Sequence, residues 1–555
     1  MKQSNLLSII YAFFLLLSGT PVLAQNVPQP VRPPLEPLPE PDILPPSEEL
    51  LPPLEAPNGE SQDPGLVIPG TIVVRQFEVF GSTVFSQSQL TELLEPYTNR
   101  PISFAELIQA QEVINQLYID QGYITTGTVI SPQTLKDGIV KIEVIEGSVE
   151  KIEVKGLKRL PNSYITSRLE KATQAPLNQQ QLLEALQLLQ LNSLVDRLSA
   201  ELSAGTSPGS SILTVEVIQA SVFSTSLRLD NHRVPSVGSD RRIVELAHGN
   251  LFGFGDRFNA RYYNTDGSNA LDNLSYTIPV NSANGTLGFA YRLIDSEIIE
   301  EPFDDVDIES EFRQYSLTYR QPIVQTPNRE LALGFTGDRQ ISDVNLSDDL
   351  IEGETRITAL RFFQEYTQRS SQDVFALRSQ FSLGLEGSQT TLNGDEIDEE
   401  FYVWRGQAQY VRLLTEDTSL LLRSDLQLAD RPLIPIEQFS LGGVNTVRGY
   451  RQDLLLSDNG FFASAELRQS IARIPKWQTT LQLTPFFDFG TAWNRRETSV
   501  VPRESLYSVG LGLRLEVGER FNAQIDYGIP LAELDVEKDS LQENGIYFAI
   551  EYNPF

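Results

Sequence analysis

The sequence contains no cysteine, only two histidines and a single methionine. Without thiols there is no disulfide framework, no cysteine nucleophile and no thiolate metal site. With only His232 and His248, a multi-histidine metal centre or a histidine-based catalytic triad has almost no raw material. No segment supplies the roughly 18 consecutive apolar residues that a comfortable transmembrane helix needs. Cations are scarce: 43 Lys and Arg face 74 Asp and Glu, leaving a formal charge of -31, which excludes the basic face of a nucleic-acid binder. No phosphate-binding loop is present either, so nothing points to nucleotide-driven work. If the mature chain spans a membrane, it must do so as a closed β-barrel, the other structure that satisfies every backbone polar group in lipid.

What is present is ordered along the chain. Residues 1–24 read as an export signal: Lys2, an apolar stretch from Leu6 to Leu17 broken only by Ser8, and small residues at Val22-Leu23-Ala24 before a cut after Ala24. Residues 25–70 form a linker with thirteen prolines between Pro28 and Pro64, expected to be an extended, polyproline-like spacer; a ligand for a proline-binding domain is the functional alternative. Residues 71–147 read as strand (Ile72 to Phe80), helix (Gln87 to Glu95), helix, and two strands (Tyr123 to Ile130, Ile139 to Ile145). Ser103 and Glu106 have the spacing of a capping box at the start of the second helix, and Gly122 is a plausible stop for it. Residues 148–220 repeat the order, and Ile152-Glu153-Val154-Lys155-Gly156 echoes Phe77-Glu78-Val79-Phe80-Gly81. Two tandem α+β units of about 75 residues behind a spacer resemble POTRA (polypeptide-transport-associated) domains, whose exposed strand edges and helix grooves could capture an extended chain by β-augmentation.

From residue 221 to 555 the texture changes to alternating segments of about ten residues separated by Gly/Asn/Asp/Ser turns. Sixteen such segments fit in this length, from Ser221–Asp230 to Gly545–Tyr552, as expected for strands of about 9–11 residues in an outer-membrane barrel. The fold class is therefore mainly β: a 16-stranded antiparallel transmembrane β-barrel preceded by two α+β domains. Acidic runs at 295–311, with nine carboxylates, and 395–400, with five, read as solvated extracellular loops. Asp304-Asp305-Val306-Asp307 lacks the glycine turn and terminal glutamate of a calcium loop. The terminal Phe555 resembles the usual last residue of bacterial outer-membrane barrels.

Between the eleventh and twelfth segments lies Leu441-Gly442-Gly443-Val444-Asn445-Thr446-Val447-Arg448-Gly449-Tyr450, and further on Phe486-Phe487-Asp488-Phe489-Gly490. With the export signal, proline-rich spacer, paired α+β units and sixteen strands, these motifs resemble the hemolysin secretion/activation family, the TpsB transporters of two-partner secretion. The resemblance covers about residues 70 to 555. It implies that Val447, Arg448, Gly449 and Tyr450 are the signature of a long sixth extracellular loop folded back into the lumen. Phe486, Asp488 and Gly490 would be the partner motif on a late strand, with Arg448 contacting Asp488. An arginine in a narrow, partly desolvated lumen needs a carboxylate partner, and its planar fork fixes geometry better than lysine could.

The resemblance further implies a place in the outer membrane with the POTRA pair in the periplasm, no cofactor, no metal and no enzymatic activity. The implied partners are a secreted TpsA-like exoprotein, outer-membrane lipid, and the barrel assembly machinery for the chain's own insertion; no nucleic acid is among them. An assembly or import-type transporter with many clients is the alternative within the superfamily; a barrel enzyme and a passive porin are the alternatives outside it. One departure stands out. Family members often begin with a helix that plugs the barrel, yet the proline-dense segment offers only Glu48-Glu49-Leu50-Leu51, too short to form a useful helix.

Overall fold

The computed structural model describes residues 38–40, 43–45, 50–51, 70–301, 303–346, 351–385, 389–392, 395–398, 400–495, 504–532 and 539–555. The export signal and most of the proline-rich linker lie outside these residues. Among the described residues, no helix is long and apolar enough to cross a membrane.

The first unit contains β1 (Thr71–Val74), β2 (Gln76–Phe80), α1 (Gln87–Leu94), β3 (Arg100–Ser103), α2 (Phe104–Asp120), β4 (Gly127–Val129) and β5 (Ile139–Ile145). Its main sheet has the order β2-β5-β4, with β2 parallel to β5. The helices cover one face and bury Phe77, Leu94, Ile114, Tyr118 and Ile142. The single strand expected over 72–80 is split at Arg75: β1 leaves the main sheet and pairs with β3, a strand too short to carry an alternation signal. The strand expected over 123–130 is reduced to β4.

The second unit repeats the plan with β6 (Ser148–Lys155), α3 (Asn162–Leu169), α4 (Gln179–Gln190), β7 (Val195–Ala204) and β8 (Ser210–Gln219) in the order β6-β8-β7. The repeat extends to single atoms. Gly81 and Gly156 follow corresponding strands with φ of +89° and +84°. A Cβ on either would lie 2.3 or 2.2 Å from the carbonyl oxygen of Val144 or Val217, so both positions require glycine.

The α2 capping box is complete. Glu106 N donates to Ser103 Oγ at 3.2 Å, and Ser103 N donates to Glu106 Oε2 at 2.8 Å. That backbone N–H, with the Arg100 guanidinium at 2.6 Å, holds the Glu106 carboxyl at about 2, well below its usual range. A depressed folded-state pKa contributes stability above the ordinary value of 4.5 and loses it as pH falls toward about 2. Hydrogen exchange in the first turn of α2 should therefore accelerate across that window. Ser103→Ala should accelerate it already at neutral pH, at a cost of about 1 kcal/mol.

The rest of the chain closes into an antiparallel barrel. Its first half is β9 (Phe223–Asp230), β10 (Arg241–Gly249), β11 (Arg257–Asn264), β12 (Ser268–Pro279), β13 (Thr286–Glu297), β14 (Ile308–Thr326), β15 (Arg329–Leu346) and β16 (Ile351–Arg369). After β17 (Asp373–Gly384), β18 (Gln389–Leu392) and β19 (Asp395–Asp398) form a small hairpin that pairs onto β16, while β17 pairs directly with β20 (Tyr402–Thr415). Next come β21 (Thr418–Ala429), the short inner pair β22 (Phe439–Leu441) and β23 (Leu455–Ser457), then β24 (Asn459–Ile474), β25 (Thr479–Trp493), β26 (Glu504–Val517), β27 (Phe521–Pro530) and β28 (Ile546–Tyr552). Setting aside the hairpin and the inner pair leaves the sixteen strands expected. Closure is uneven: four register pairs join β28 to β9, against eighteen between β14 and β15.

Side chains alternate as a lipid-facing wall requires. Leu227, Leu317, Phe335, Phe487 and Ile525 point outward and are exposed, while Asp338, Gln340, Asp425, Glu466 and Asp488 are buried inside. The acidic run at 295–311 is not wholly a loop, since Asp295–Glu297 ends β13 and Ile308–Glu311 begins β14. The run at 395–400 likewise contributes β19. Among the described residues no cluster of His, Asp and Glu suited to a metal ion occurs, including at 304–307. Phe555 lies just past β28, exposed, with its ring 6.3 Å from that of Phe223 on the first barrel strand.

Candidate functional site in the barrel lumen

The long connection between β21 and β24 does not extend into solvent. The β22–β23 pair and the turn between them fold against the inner wall, where Phe439, Leu441, Val447 and Tyr450 pack with Phe462, Ala492 and Leu506. The turn is held by its own residues: Gly443 N donates to Val447 O at 3.1 Å, and Gly442 N donates to the Thr446 side chain at Oγ1 at 2.9 Å. These bonds present Arg448 to the wall.

Arg448 is 2 % exposed. Its Nε donates to Asp488 Oδ2 at 2.8 Å, its Nη2 to Asp488 Oδ1 at 3.0 Å, and its backbone N to Asp488 Oδ2 at 3.2 Å. Ser464 Oγ donates to Asp488 Oδ1 at 2.6 Å. This bidentate, charge-assisted contact is the strong form of an Arg–carboxylate pair. The Phe486 ring lies flat against the guanidinium, 3.4 Å from centroid to carbon, so the same strand supplies the carboxylate and the π face.

The other motif residues have steric roles. Gly449 sits at φ +98° against the backbone of Gly528 on β27, 3.2 Å from where its Cβ would be; its N donates to Tyr547 Oη at 2.9 Å, and Tyr547 Oη donates to Tyr450 O at 2.5 Å. Tyr450 Oη donates to Tyr507 O at 3.0 Å. At Gly490 a Cβ would come within 2.3 Å of Leu441, so glycine there makes room for the loop. Val447 is fully buried.

Several residues escaped the sequence reading. Arg448 Nη1 also donates to Glu466 Oε2 at 2.7 Å, and Asp526 lies 3.8 Å away. Glu466 in turn accepts from Arg468 Nε at 2.9 Å and Arg514 Nη2 at 3.2 Å. A signal existed: Phe462, Ser464, Glu466 and Arg468 share parity on β24, and a charge in mid-strand of a lipid-embedded barrel must face inward. The loop stem has an anchor of its own. Arg361 on β16 bonds Glu437 through Nη2 at 2.6 Å and Nη1 at 3.1 Å, and Asp338 on β15 through Nε and Nη2 at 3.1 Å each. No motif in the sequence marks that second network. The loop is thus fixed by buried ion pairs to two sectors of the wall, β15–β16 at its stem and β24–β27 at its tip. Near its entrance it is fixed again by Arg451, whose Nη2 donates to Glu300 Oε2 at 2.8 Å.

Residues 209–515 match the family model described as haemolysin secretion/activation protein ShlB/FhaC/HecB, and residues 72–147 match the ShlB-type POTRA domain. The outer membrane transporter CdiB of Escherichia coli O6:K15:H31 is 22 % identical over 476 residues, covering 83 % of this chain and 79 % of that protein. The heme/hemopexin transporter protein HuxB of Haemophilus influenzae is 22 % identical over 465 residues, 80 % of each. The solved structure of CdiB from Escherichia coli superposes with a TM-score of 0.67 at 20 % identity, covering 90 % of this chain and 94 % of that one. BamA from Haemophilus ducreyi lacking POTRA domains 1–3 superposes at 0.53 and 15 % identity, covering 87 % and 100 %.

Proposed function

The chain belongs to the haemolysin secretion/activation family, and from that premise we propose that its two POTRA units capture one dedicated, unfolded TpsA-like exoprotein which the barrel then passes to the cell surface. The barrel lies in the outer membrane with the POTRA units in the periplasm, and the chain works as a protein-secretion transporter. The observation that carries this proposal is the inward-folded loop, held to two sectors of the lumen wall by buried ion pairs, the placement expected of a segment that obstructs the pore until a chain is passed. A passive diffusion pore needs neither that loop nor periplasmic capture units. The POTRA sheets support the capture step, since β7 is an edge strand on which Gln190 bonds only Asp196 O and Leu198 N at its start, leaving the stretch after Leu198 for an added strand. Outer-membrane lipid around the outward side chains and the barrel assembly machinery during insertion complete the proposed partners. Arg448 and Asp488, with Val447, Gly449, Tyr450, Phe486 and Gly490, are the proposed loop anchor, and Phe555 the proposed insertion signal. The chemistry asked of the chain is binding and passage, with no bond made or broken.

A deletion strain compared with its parent by quantitative proteomics of medium and outer membrane tests this reading. The expected result is loss of one or a few large exoproteins from the medium with outer-membrane barrels unchanged. A broad fall in barrel proteins would overturn it in favour of an assembly role.

A further inference from the structure

The turn between β10 and β11 holds two phenylalanines outside the protein. It runs Asn250-Leu251-Phe252-Gly253-Phe254-Gly255-Asp256. Asp256 is fully buried, and its carboxylate accepts from Phe252 N at 3.1 Å to each oxygen and from Phe254 N at 3.1 Å. Asn250, also buried and at φ +64°, accepts from Gly255 N through Oδ1 at 2.9 Å. Two buried side chains thus fix the backbone of the turn, while Phe252 and Phe254 stay 65 % and 60 % exposed. Apolar rings held open by a rigid backbone mark a contact with something apolar.

The position of the turn says what that is. Phe223, His248, Phe258, Tyr276 and Phe289 stand in register across β9–β13, a row of mostly aromatic side chains. Phe223 and Phe289 are exposed on the outward face, and Phe289 is paired with the outward Leu317. An aromatic row on the outer wall of a membrane barrel marks the boundary between lipid and water. The turn begins two residues past His248, and the Phe252 ring lies back against Tyr276, with 5.7 Å between centroids. Its tip, Leu251 to Gly255, carries no charge, whereas the turns at the same end between β20 and β21 and between β26 and β27 carry Glu416, Asp417, Glu519 and Arg520.

The same turn carries the second POTRA unit. Arg159 Nη2 donates to Leu251 O at 2.7 Å. A Cβ on Gly255, at φ +76°, would lie 2.3 Å from the Tyr164 ring, so only glycine lets the two surfaces meet. Arg168, stacked on Tyr164, donates from Nε to Asn284 Oδ1 at 2.8 Å on the next turn of that end.

We propose that Phe252 and Phe254 insert into the periplasmic leaflet of the outer membrane, with phospholipid acyl chains as their partner. The turn is then a lipid anchor, and through it the bilayer sets the angle of the second POTRA unit against the barrel.

The chain has no native cysteine, so single introduced cysteines can carry a fluorophore without background. The full-length protein is placed in phosphatidylethanolamine/phosphatidylglycerol vesicles in which some acyl chains bear a nitroxide quencher. Probes at Phe252→Cys and Phe254→Cys should be quenched about threefold more than one at Glu201→Cys, exposed on β7. Equal quenching at the three positions would overturn the insertion. The angle is read from spin–spin distances between Glu201→Cys and Asn328→Cys, the latter in the turn between β14 and β15. Adding Phe252→Ser/Phe254→Ser should leave heat-modifiable migration intact but make the distance distribution roughly twice as wide. Phe252→Leu/Phe254→Leu, which keeps the apolar surface, should restore the parent's width. A serine variant as narrow as the parent, or a leucine variant as wide as the serine one, would overturn the role of lipid in holding the unit. No exoprotein enters these measurements, so their outcome is independent of the secretion reading.

Discussion

Arg448→Ala is expected to lower export by about two orders of magnitude while the barrel still folds and inserts. Arg448 carries bidentate bonds to Asp488, a further bond to Glu466 and the stacked face of Phe486, all at 2 % exposure. Removing one member of a buried pair costs about 3–5 kcal/mol, because the surviving carboxylates lose their counter-charge without regaining water. Here Asp488 is left so, with Asp526 close by, while Glu466 loses one of its three guanidinium partners and keeps Arg468 and Arg514. The strand ladders do not depend on the arginine, so the cost falls on the placement of the loop rather than on closure of the barrel. Heat-modifiable migration on a gel checks the barrel, and exoprotein in the medium checks export. Asp488→Ala should resemble Arg448→Ala, and the double variant should be no worse than either, as for residues acting as one unit. Arg448→Lys should recover little, since an ammonium can neither bridge Asp488 bidentately nor lie flat on Phe486. Wild-type export from both single alanine variants would end the anchor hypothesis.

The second large effect is expected at the loop stem. Arg361 lies between Asp338 and Glu437, whose side chains are 1 % and 8 % exposed. In Arg361→Ala those carboxylates face each other without a cation, and the stem should detach from β15–β16 at a cost of about 3 kcal/mol. Glu437→Gln keeps the Asp338–Arg361 pair and a neutral acceptor for the guanidinium, so its cost should stay near 1 kcal/mol. The measurement is thermal unfolding of the purified barrel, paired with bilayer conductance. Arg361→Ala should unfold at a lower temperature and conduct more than Glu437→Gln. Equal behaviour of the two variants would mean that the stem is held by its backbone instead.

Lipid contact decides which strands are legible in the sequence. Where a strand crosses the membrane, outward side chains must be apolar, and the alternation located all sixteen. Where strands continue beyond the lipid, that constraint lapses. Against the segments of about ten residues expected, β14 runs over Ile308–Thr326 and β15 over Arg329–Leu346, each extended by polar and acidic residues indistinguishable from loop. The β18–β19 hairpin went unseen for the same reason. On β12 a bulge between Leu271 and Leu274 breaks the alternation, so its first residues carry no strand signal. In the lumen, Arg448 and Asp488 were legible because distinctive motifs surround them. Arg361, Glu437 and Arg468 stand in ordinary surroundings, and only closure of the barrel brings them to their partners. Glu40 pairs with Arg468 from 428 positions away, beyond any reading of local pattern.

The unequal strands give the mouth of the pore a direction. At about 3.3 Å per residue and a tilt near 40°, the 19 residues of β14 rise roughly 48 Å, about 20 Å more than a 25 Å apolar band requires, whereas the eight of β9 rise only about 20 Å. The outer rim is therefore a parapet on the β14–β16 side and a low sill on the side where β9 meets β28. On the sill side the connections that follow β9 and precede β28 pack together over the rim, where Gln542 Nε2 donates to the carbonyls of Asn231 and Arg233 at 3.0 and 2.6 Å.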